Sequence, residues 1–522
     1  MPLDLPADVS APPAAAIVAP APKSEPVHVD ANGYHYVVNG NLWLSEAAVR
    51  EAIEGSKTPQ EALQGLDAAY KRTPHFLVAL RGETSGKLVA IQVFNGRITQ
   101  VDGPDELKGY FGGLWGFGGV LDQVDVERND LIRAAANVEM YLAHQGLRPK
   151  INLKPGAEVG TTTLVVTEEE IPGAKPWGAG LSFGNLGSRF SSRYTAGATG
   201  SVRPGGGLEL TANVTQGLPG MTADSAGAQY QSAGAGFTVM TPLGIYGASF
   251  SGITYKIGES QAPLYPTGDI NTVAVTGTQL AYADETRRLS VTESWTQVDN
   301  QVDVFDNTFN LTDQHYSYLS LGAIYVQSFA VLGQVGNVIA NVTLQKGLSP
   351  HTGTFTGSGP AAPDTRFGLV QASVSYQQAL PYGLNMTASL SGQAADSTVP
   401  QNQQWVVGGF GNLTAWLPAV MVGDSGALGR LTLNSPTFVW QGYTAGASAF
   451  AEAGIVRQYY VPANNPTTRS LGDAGISLLA GTPFGTSLSV GYAWPVYSRN
   501  VDRAEIDRNS RANVYFSLNQ SF

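Results

Sequence analysis

The chain has 522 residues, of which only 14% are charged, and its formal net charge at pH 7 is −11. The low charge, together with 22 tyrosines and 62 glycines, excludes a disordered chain. The acidic balance, without a basic stripe, argues against nucleic acid as a partner. The chain has no cysteine, which excludes disulfides, thiolate metal sites and thiol nucleophiles.

The sequence also argues against a helical membrane protein, because no apolar run approaches the ~18–20 residues that a spanning helix needs. It fits a membrane β-barrel, in which polar lumen residues offset apolar lipid-facing residues along each strand. Residues 1–33 are rich in proline and alanine and are predicted to form a flexible tether. Because no basic segment followed by an apolar core is visible there, we interpret the sequence as a mature exported protein with an added methionine.

Residues 34–103 are predicted to form a small α/β domain with the order β-α-α-β-β. Its second helix begins at Thr58, with Pro59 at the first position and Glu61 completing a capping box. The predicted strands are Tyr34–Val38, Phe76–Arg81 and Lys87–Phe94, and the first helix covers about Ser45–Glu54.

Residues 104–172 repeat that order less clearly and are predicted to form a second domain of this kind. A helix is expected from Val126 to Gln145, followed by strands at Lys150–Leu153 and Thr161–Thr167. The glycine-rich run Gly109–Gly119 lacks the spacing of a phosphate-binding loop, so we interpret it as an ordinary loop.

Residues 173–522 show a different pattern, in which apolar and polar residues alternate. Examples are Leu208–Val214 and Val370–Tyr376, each with one apolar and one polar face. Short turns and long polar connections alternate between about sixteen such segments, which is typical of outer-membrane barrels. The last segment places Phe516, Leu518 and Phe522 on one face and is predicted to close the barrel, since closure removes the exposed sheet edges.

The segment at about 404–426 lies between two predicted strands and combines clustered glycines with two tryptophans. Gly408, Gly409 and Gly411 allow close backbone approach, while Trp405 and Trp416 are unusual for a solvated surface loop. The pattern leaves two interpretations open: a loop folded into the barrel lumen, or a glycine-rich outer loop.

Two small α/β domains before a barrel of about sixteen strands resemble the two-partner secretion transporters, which export filamentous haemagglutinins and haemolysins. These transporters belong to the outer-membrane assembly-factor superfamily, and their α/β units are POTRA domains that face the periplasm. The resemblance covers residues 34–522. It implies a membrane β-barrel preceded by two POTRA-like domains.

Two motifs carry the resemblance. The family's lumen loop, between strands eleven and twelve, has a Gly-Gly stretch followed by an Arg-Gly-aromatic core; here Thr414 stands in place of the arginine and Ala415 in place of the glycine. The matching loop positions are Gly408, Gly409, Asn412, Leu413, Thr414 and Trp416.

The second motif is Phe-x-Asp-x-Gly on strand thirteen, which here reads Phe450, Glu452 and Gly454. In the family, the carboxylate of this motif pairs with the loop arginine. Thr414 can offer Glu452 only a weaker hydrogen bond than a guanidinium would. Arg430, just after the loop, is the alternative donor in the sequence.

The resemblance implies a transporter in the bacterial outer membrane, surrounded by lipid, with its N-terminal domains in the periplasm. A secreted partner exoprotein would arrive unfolded and bind the POTRA-like domains by β-augmentation, for which Phe76–Arg81 and Thr161–Thr167 are the expected free edges. It would then pass through the lumen without nucleotide hydrolysis, with the loop as the movable constriction. We expect a monomer without cofactors.

Two other classes of function stay open. An assembly factor for outer-membrane proteins would use the seam between Trp177–Leu186 and Arg511–Phe522, and a passive channel would need no α/β domains. An enzyme is the third alternative, and no site supports it, although Gly423–Gly426 copies the nucleophile neighbourhood of trypsin-like proteases. The six histidines lie in no matching context, so we predict a turn there and neither a catalytic nor a metal site.

Overall fold

A computed structural model describes residues 25–522 except 114–118, 124–125, 159, 189–190, 223–225, 259–263, 332, 349–361 and 462–465. The chain divides into two compact units, of which the first contains residues up to Ala174 and the second contains most of the chain from Lys175 onward. Residues 1–24 of the predicted tether lie outside the described residues.

The first unit begins with a four-stranded sheet in the order β1-β2-β4-β3, which two helices accompany. Its core is formed by apolar side chains such as Tyr36, Ile53, Leu66 and Ile91, all fully buried. The elements are β1 (Val27–Ala31), β2 (Tyr34–Asn39), α1 (Glu46–Glu54), α2 (Pro59–Lys71), β3 (Val78–Ser85) and β4 (Leu88–Asn95).

The capping box predicted for α2 is present. The Thr58 hydroxyl accepts a hydrogen bond from the Glu61 N–H at 3.2 Å, and the Glu61 carboxylate accepts one from the Lys57 N–H at 2.7 Å. The predicted tether is too long, however, because β1 lies within it and pairs with β2 in an antiparallel ladder. This strand has only five residues and directly follows the proline-rich segment, so the sequence analysis counted it as part of the tether.

The second sheet has the order β5-β7-β6, with two more helices before the last two strands. Its elements are β5 (Arg97–Asp102), α3 (Asp105–Gly112), α4 (Arg128–His144), β6 (Leu147–Pro155) and β7 (Thr161–Glu170). They give the β-α-α-β-β order, but β5 pairs with β7. The predicted domain boundary between residues 103 and 104 is therefore one strand too late.

Two further expectations for this part of the chain are wrong. β7 is the central strand of its sheet, so Thr161–Thr167 is not a free edge, whereas β3 is an edge of the first sheet as predicted. The glycine-rich run Gly109–Gly119 does not begin as a loop, because α3 continues to Gly112 with Leu107 and Phe111 buried beneath it. Among the helices of the described chain, none has the length and apolar character needed to cross a membrane.

The second unit is a closed antiparallel barrel of sixteen strands, which confirms the predicted fold class. The first eleven strands are β8 (Trp177–Gly184), β9 (Thr195–Gly205), β10 (Leu208–Gly217), β11 (Gln229–Thr241), β12 (Gly244–Lys256), β13 (Thr267–Ala283), β14 (Arg287–Val304), β15 (Phe309–Val331), β16 (Gln334–Gly347), β17 (Gly368–Ala379) and β18 (Asn385–Ala395).

The remaining barrel strands follow the segment singled out in the sequence, which itself contains β19 (Trp405–Val407) and β20 (Met421–Gly423). β21 (Ser425–Asn434) and β22 (Phe438–Trp440) both pair with β23 and together form the twelfth strand. The others are β23 (Tyr443–Arg457), β24 (Thr468–Gly481), β25 (Thr486–Arg499) and β26 (Val514–Ser521), with α5 (Arg503–Ser510) between the last two.

Alternation along each strand separates an inward-facing row from an outward-facing row. In β23, Phe450, Glu452 and Val456 are buried, whereas Ile455 is exposed. Large exposed apolar residues, including Leu431 and Leu478, project from the same side as Ile455 on the neighbouring strands. A belt of exposed apolar side chains around a closed barrel is the lipid-facing surface of an outer-membrane protein.

The barrel closes where β26 pairs with β8 over five residue pairs, from Ser517–Gly184 to Ser521–Gly180. Asn185 extends this short seam with its side chain, since its Oδ1 accepts a hydrogen bond from the Phe516 N–H at 2.7 Å and its Nδ2 donates to the Val514 carbonyl at 3.0 Å. The Asn185 side-chain amide thus adds two hydrogen bonds to the seam, beside the one that its backbone N–H donates to the Phe516 carbonyl at 3.3 Å.

Candidate functional site

The candidate site is the connection between β18 and β21, which are the eleventh and twelfth barrel strands. The two ends of this connection pair with each other as a short antiparallel hairpin, in which Trp405 is opposite Gly423 and Val407 is opposite Met421. The residues between 407 and 421 form its tip. Because its ends are hydrogen-bonded to each other, the connection is an ordered element and not an irregular loop between strands.

The glycines of the tip are required by its backbone. Gly408 has a φ of +112° and Gly409 a φ of +101°, a region that residues with a Cβ atom rarely adopt. A Cβ atom at Gly408 would lie 2.4 Å from the Leu417 carbonyl oxygen. The Gly408 N–H donates to the Asn412 carbonyl at 2.7 Å, which closes the turn. The clustered glycines therefore allow one backbone segment to lie directly against another.

The barrel wall beside the tip carries a row of three charged side chains. Arg430 on β21 is directly opposite Glu452 on β23, and Glu452 is directly opposite Asp473 on β24. Directly opposite residues project from the same face of a sheet. All three face the inside of the barrel, where Glu452 is 3% exposed and Asp473 is fully buried.

Hydrogen bonds connect the tip to this charged row. The Thr414 N–H donates to Glu452 Oε2 at 2.7 Å, and the next N–H along the chain, that of Ala415, donates to Asp473 Oδ2 at 2.6 Å. Arg430 Nη1 donates to Glu452 Oε1 at 2.7 Å, and its guanidinium lies 4.8 Å from the centre of the Phe450 ring. The tip is thus held against the inner wall by two carboxylates through two backbone N–H groups.

Thr414 stands where the resemblance implies an arginine, and in this arrangement Glu452 has a cationic partner without one in the loop. The charged partner of Glu452 comes from the wall, since Arg430 supplies the guanidinium that the loop lacks. The Thr414 hydroxyl makes no bond to the carboxylate but accepts one from the Gly411 N–H at 3.0 Å, within the tip. Only the backbone of Thr414 reaches the wall.

Asp473 was not identified from the sequence. It lies two strands from Arg430, and nothing in its local sequence resembles the two motifs. Alternation along β24 could have indicated that Asp473 faces inward, because it lies in the same row as the buried Leu471. A carboxylate at a buried inward position needs a donor, which the Ala415 N–H provides.

Apolar packing completes the contact between tip and wall. The side chains of Leu413 and Trp416 are buried in a cluster with Phe450 and Tyr515. A Cβ atom at Gly454 would lie 3.0 Å from Leu413 Cδ1, so the glycine of the wall motif leaves the space that Leu413 occupies. Asn412 contributes through its side chain, whose Nδ2 donates to the Val406 carbonyl at 2.9 Å.

The tip also pairs with the chain that leads into the last barrel strand. The Leu417 N–H donates to the Ser510 carbonyl at 2.7 Å, and the Ala512 N–H donates to the Ala415 carbonyl at 2.8 Å. Trp416 and Arg511 form the bridge between these two bonds. The tip therefore lies between the charged row on one side and residues 510–512 on the other.

The structure places the other predicted residues as follows. Phe516 and Leu518 lie on β26, which closes the barrel, and the N–H of Phe522 donates to the Ala179 carbonyl on the first strand at 3.0 Å. In Gly423–Gly426, the Asp424 carboxylate accepts hydrogen bonds from the Val399 and Tyr459 N–H groups at 2.9 and 2.7 Å. This carboxylate therefore joins the segments that contain Val399 and Tyr459 to the end of the loop. Within the described chain no three acidic or histidine side chains are grouped to hold a metal ion.

A closed sixteen-stranded barrel with an apolar outer surface and two small α/β sheets before it defines an outer-membrane β-barrel protein. The chain belongs to the haemolysin secretion/activation protein ShlB/FhaC/HecB family, whose model matches residues 160–485. It is a two-partner secretion transporter of the bacterial outer membrane, and a secreted exoprotein is the partner that this family implies.

Solved structures share the fold at low sequence identity. CdiB from Escherichia coli is 15% identical with a TM-score of 0.74, covering 98% of this chain and 94% of that chain. CdiB from Acinetobacter baumannii is 14% identical with a TM-score of 0.69, covering 96% and 91%. BamA from Haemophilus ducreyi lacking POTRA domains 1–3 is 13% identical with a TM-score of 0.50, covering 89% and 93%. No curated protein sequence matches the chain.

Proposed function

We propose that the transporter moves an unfolded exoprotein from the periplasm to the cell surface through the barrel lumen, without nucleotide hydrolysis. The observation that carries this proposal is the tip of the 404–426 loop, held against the inner wall by Glu452 and Asp473. A segment that lies inside a closed barrel narrows the path through it. In a barrel that conducts a polypeptide, this segment is the constriction that has to move.

The hydrogen bonds to Glu452 and Asp473 are the polar part of the contact between tip and wall, beside the apolar packing and the pairing with residues 510–512. Two hydrogen bonds to carboxylates contribute about 1.5–3 kcal/mol each when they are made inside a protein. Binding of an extended polypeptide in the lumen can offset the loss of these two bonds by offering new backbone N–H groups to the same carboxylates, and its apolar side chains can cover the surface that Leu413 and Trp416 leave. Release then needs no chemical step and no nucleotide.

The N-terminal unit offers a place where the exoprotein can be received. β3 pairs with β4 on one side only, so the other side of Val78–Ser85 is an edge of the first sheet. From Arg81 to Ser85 its residues are exposed. An extended segment of the exoprotein can add to this edge as a further strand, with affinity from main-chain hydrogen bonds.

The function is tested by deleting the gene in its host. We expect a secreted partner encoded beside it to disappear from the cell surface and to accumulate in the periplasm or be degraded there. The amounts of other outer-membrane barrels are expected to stay unchanged. Immunoblots of surface and periplasmic fractions measure the first effect, and quantitative mass spectrometry of outer membranes measures the second. A general loss of barrels would instead favour an assembly factor.

Two adjacent proline substitutions test reception at β3. Neighbouring residues in a strand direct their N–H groups to opposite sides, so one of Arg81 and Gly82 donates toward β4 and the other away from it. We expect Arg81→Pro or Gly82→Pro, whichever loses the outward N–H, to fold normally and to lower export about tenfold. Resistance to proteolysis checks the fold. If both variants fold and both export normally, the exoprotein is not received at the edge of β3.

A further inference from the structure

One acidic side chain, that of Glu293, lies among the apolar side chains on the outer surface of the barrel. On β14, Glu293 is directly opposite Leu321 of β15, and Leu321 is directly opposite Leu344 of β16. Leu321 and Leu344 are 55% and 52% exposed and belong to the lipid-facing belt. Because directly opposite residues project from one face of a sheet, Glu293 also projects toward lipid.

Two other polar side chains accompany this glutamate. Gln279 Nε2 donates to Glu293 Oε1 at 2.5 Å and to the Tyr246 hydroxyl at 3.1 Å. Tyr246 is opposite Gly277, two residues before Gln279 on the same face of β13. In the part of the chain that the structure describes, Glu293 forms no ion pair, and only Oε1 of its carboxylate accepts a hydrogen bond.

A groove of about 570 Å³ lies at this place on the outer surface. Apolar side chains form most of its lining, among them Val275, Trp295, Leu319 and Leu344. Gly277 lines the groove and leaves room for the Glu293 carboxylate, which lies against its backbone: a Cβ atom at Gly277 would come within 2.2 Å of Glu293 Oε1. The volume is in the range of small-molecule sites, about 300–1,000 Å³.

A carboxylate in this position needs an explanation. Charged side chains on the lipid face of a barrel are unfavourable to a degree that depends on depth, and ionisable residues that face the membrane are rare. Gln279 and Tyr246 are neutral. Lys346 also lines the groove, but its Nζ donates to the Arg366 carbonyl at 2.7 Å, so within the described chain no cation pairs with an ionised Glu293. The groove therefore combines an apolar channel with an acceptor that suits a cationic donor.

We propose that this groove binds a membrane lipid with a primary ammonium head group, as in phosphatidylethanolamine. The ammonium N–H groups would donate to Glu293, and an acyl chain would lie along Val275, Leu319 and Leu344. Tyr246 is the third residue of β12, which places the polar network toward the end of the barrel where β8 begins and β26 ends. The proposal commits to a lipid because the groove is continuous with the lipid-facing belt.

Native mass spectrometry of the full-length protein tests the proposal. The protein is purified, stripped of lipid by detergent exchange, and incubated separately with didecanoyl phosphatidylethanolamine, phosphatidylcholine and phosphatidylglycerol. We expect one tightly held phosphatidylethanolamine per chain and weaker, non-saturating adducts with the other two lipids. Phosphatidylcholine is the informative comparison, because its head group carries the positive charge without an N–H donor.

Two variants and one control decide the outcome. Glu293→Gln keeps the shape and removes the charge, so it is expected to weaken phosphatidylethanolamine binding about tenfold. Gly277→Val places a side chain where the Glu293 carboxylate lies and is expected to abolish binding. Leu431→Ala removes an exposed lipid-facing side chain elsewhere and is expected to change nothing. Heat-modified migration on gels confirms that each barrel is closed. Equal binding of the three lipids, or unchanged preference in Glu293→Gln, would overturn the proposal.

Discussion

Deletion of residues 405–420 is expected to turn a mostly closed barrel into a large, steady pore. The deletion removes the tip that carries the buried Leu413 and Trp416 and leaves the charged row on the wall in place. Single-channel conductance in planar bilayers measures the effect by comparing the intact chain with the deletion. We expect rare openings from the intact chain and a conductance near that of an empty sixteen-stranded barrel from the variant.

The comparison is informative only if the shortened barrel folds. The deletion joins Gln404 to Met421, which belong to the two strands of one hairpin but are three positions out of register, since Met421 is opposite Val407 in the intact loop. Heat-modified migration and resistance to urea check closure of the barrel. If both proteins conduct alike, the 404–426 loop does not restrict the lumen, and the proposed gating is wrong.

Replacement of Arg430 by alanine is expected to have the second largest effect. It leaves Glu452 and Asp473 adjacent and buried without their cation, while the tip still offers only two N–H groups. Removing one partner of a buried ion pair costs about 3–5 kcal/mol. We expect Arg430→Ala to unfold at a lower urea concentration and to open more often in planar bilayers.

A double-mutant cycle separates the ion pair from other effects of this substitution. Arg430→Ala combined with Glu452→Gln removes both charges of the pair, so we expect the double variant to regain much of the stability lost in Arg430→Ala. Arg430→Lys keeps the charge but loses the planar guanidinium that lies over the Phe450 ring, and an intermediate effect is expected. Additive losses in the cycle would show that Arg430 and Glu452 do not stabilise each other.

The fold was largely predictable because its information is local. Alternation in segments such as Val370–Tyr376 marks strands, and the order of short and long connections marks a barrel. Pairing across strands is not local, and there the predictions were wrong. Thr161–Thr167 has the composition of a strand, but no local pattern shows that β7 lies in the centre of its sheet. Residues 97–102, which form β5, fell inside the predicted first domain for the same reason.

The candidate site was predictable only where a side chain defines it. Glu452 and Gly454 follow from the wall motif, and Arg430 could be named as an alternative donor. The bonds from Thr414 and Ala415 come from backbone N–H groups, which nearly every residue has, so sequence cannot indicate them. Asp473 becomes a partner only through the register of β24 against β23, which residue pattern alone does not determine.

The pairing of the tip with residues 510–512 has a mechanical consequence. Residue 512 lies two positions before β26, and β26 meets the first strand over only five residue pairs. If the tip moves away, the hydrogen bonds at Leu417 and Ala415 break. Residues 510–512 then lose these partners directly before the strand that closes the barrel. Thermodynamic reciprocity requires the converse: whatever loosens or tightens that closure changes the free energy of displacing the tip by the same amount. Because the Phe410 ring of the tip also packs on the Tyr515 ring of the closing strand, with ring centroids 4.5 Å apart, a spectroscopic label on that strand would report the position of the tip.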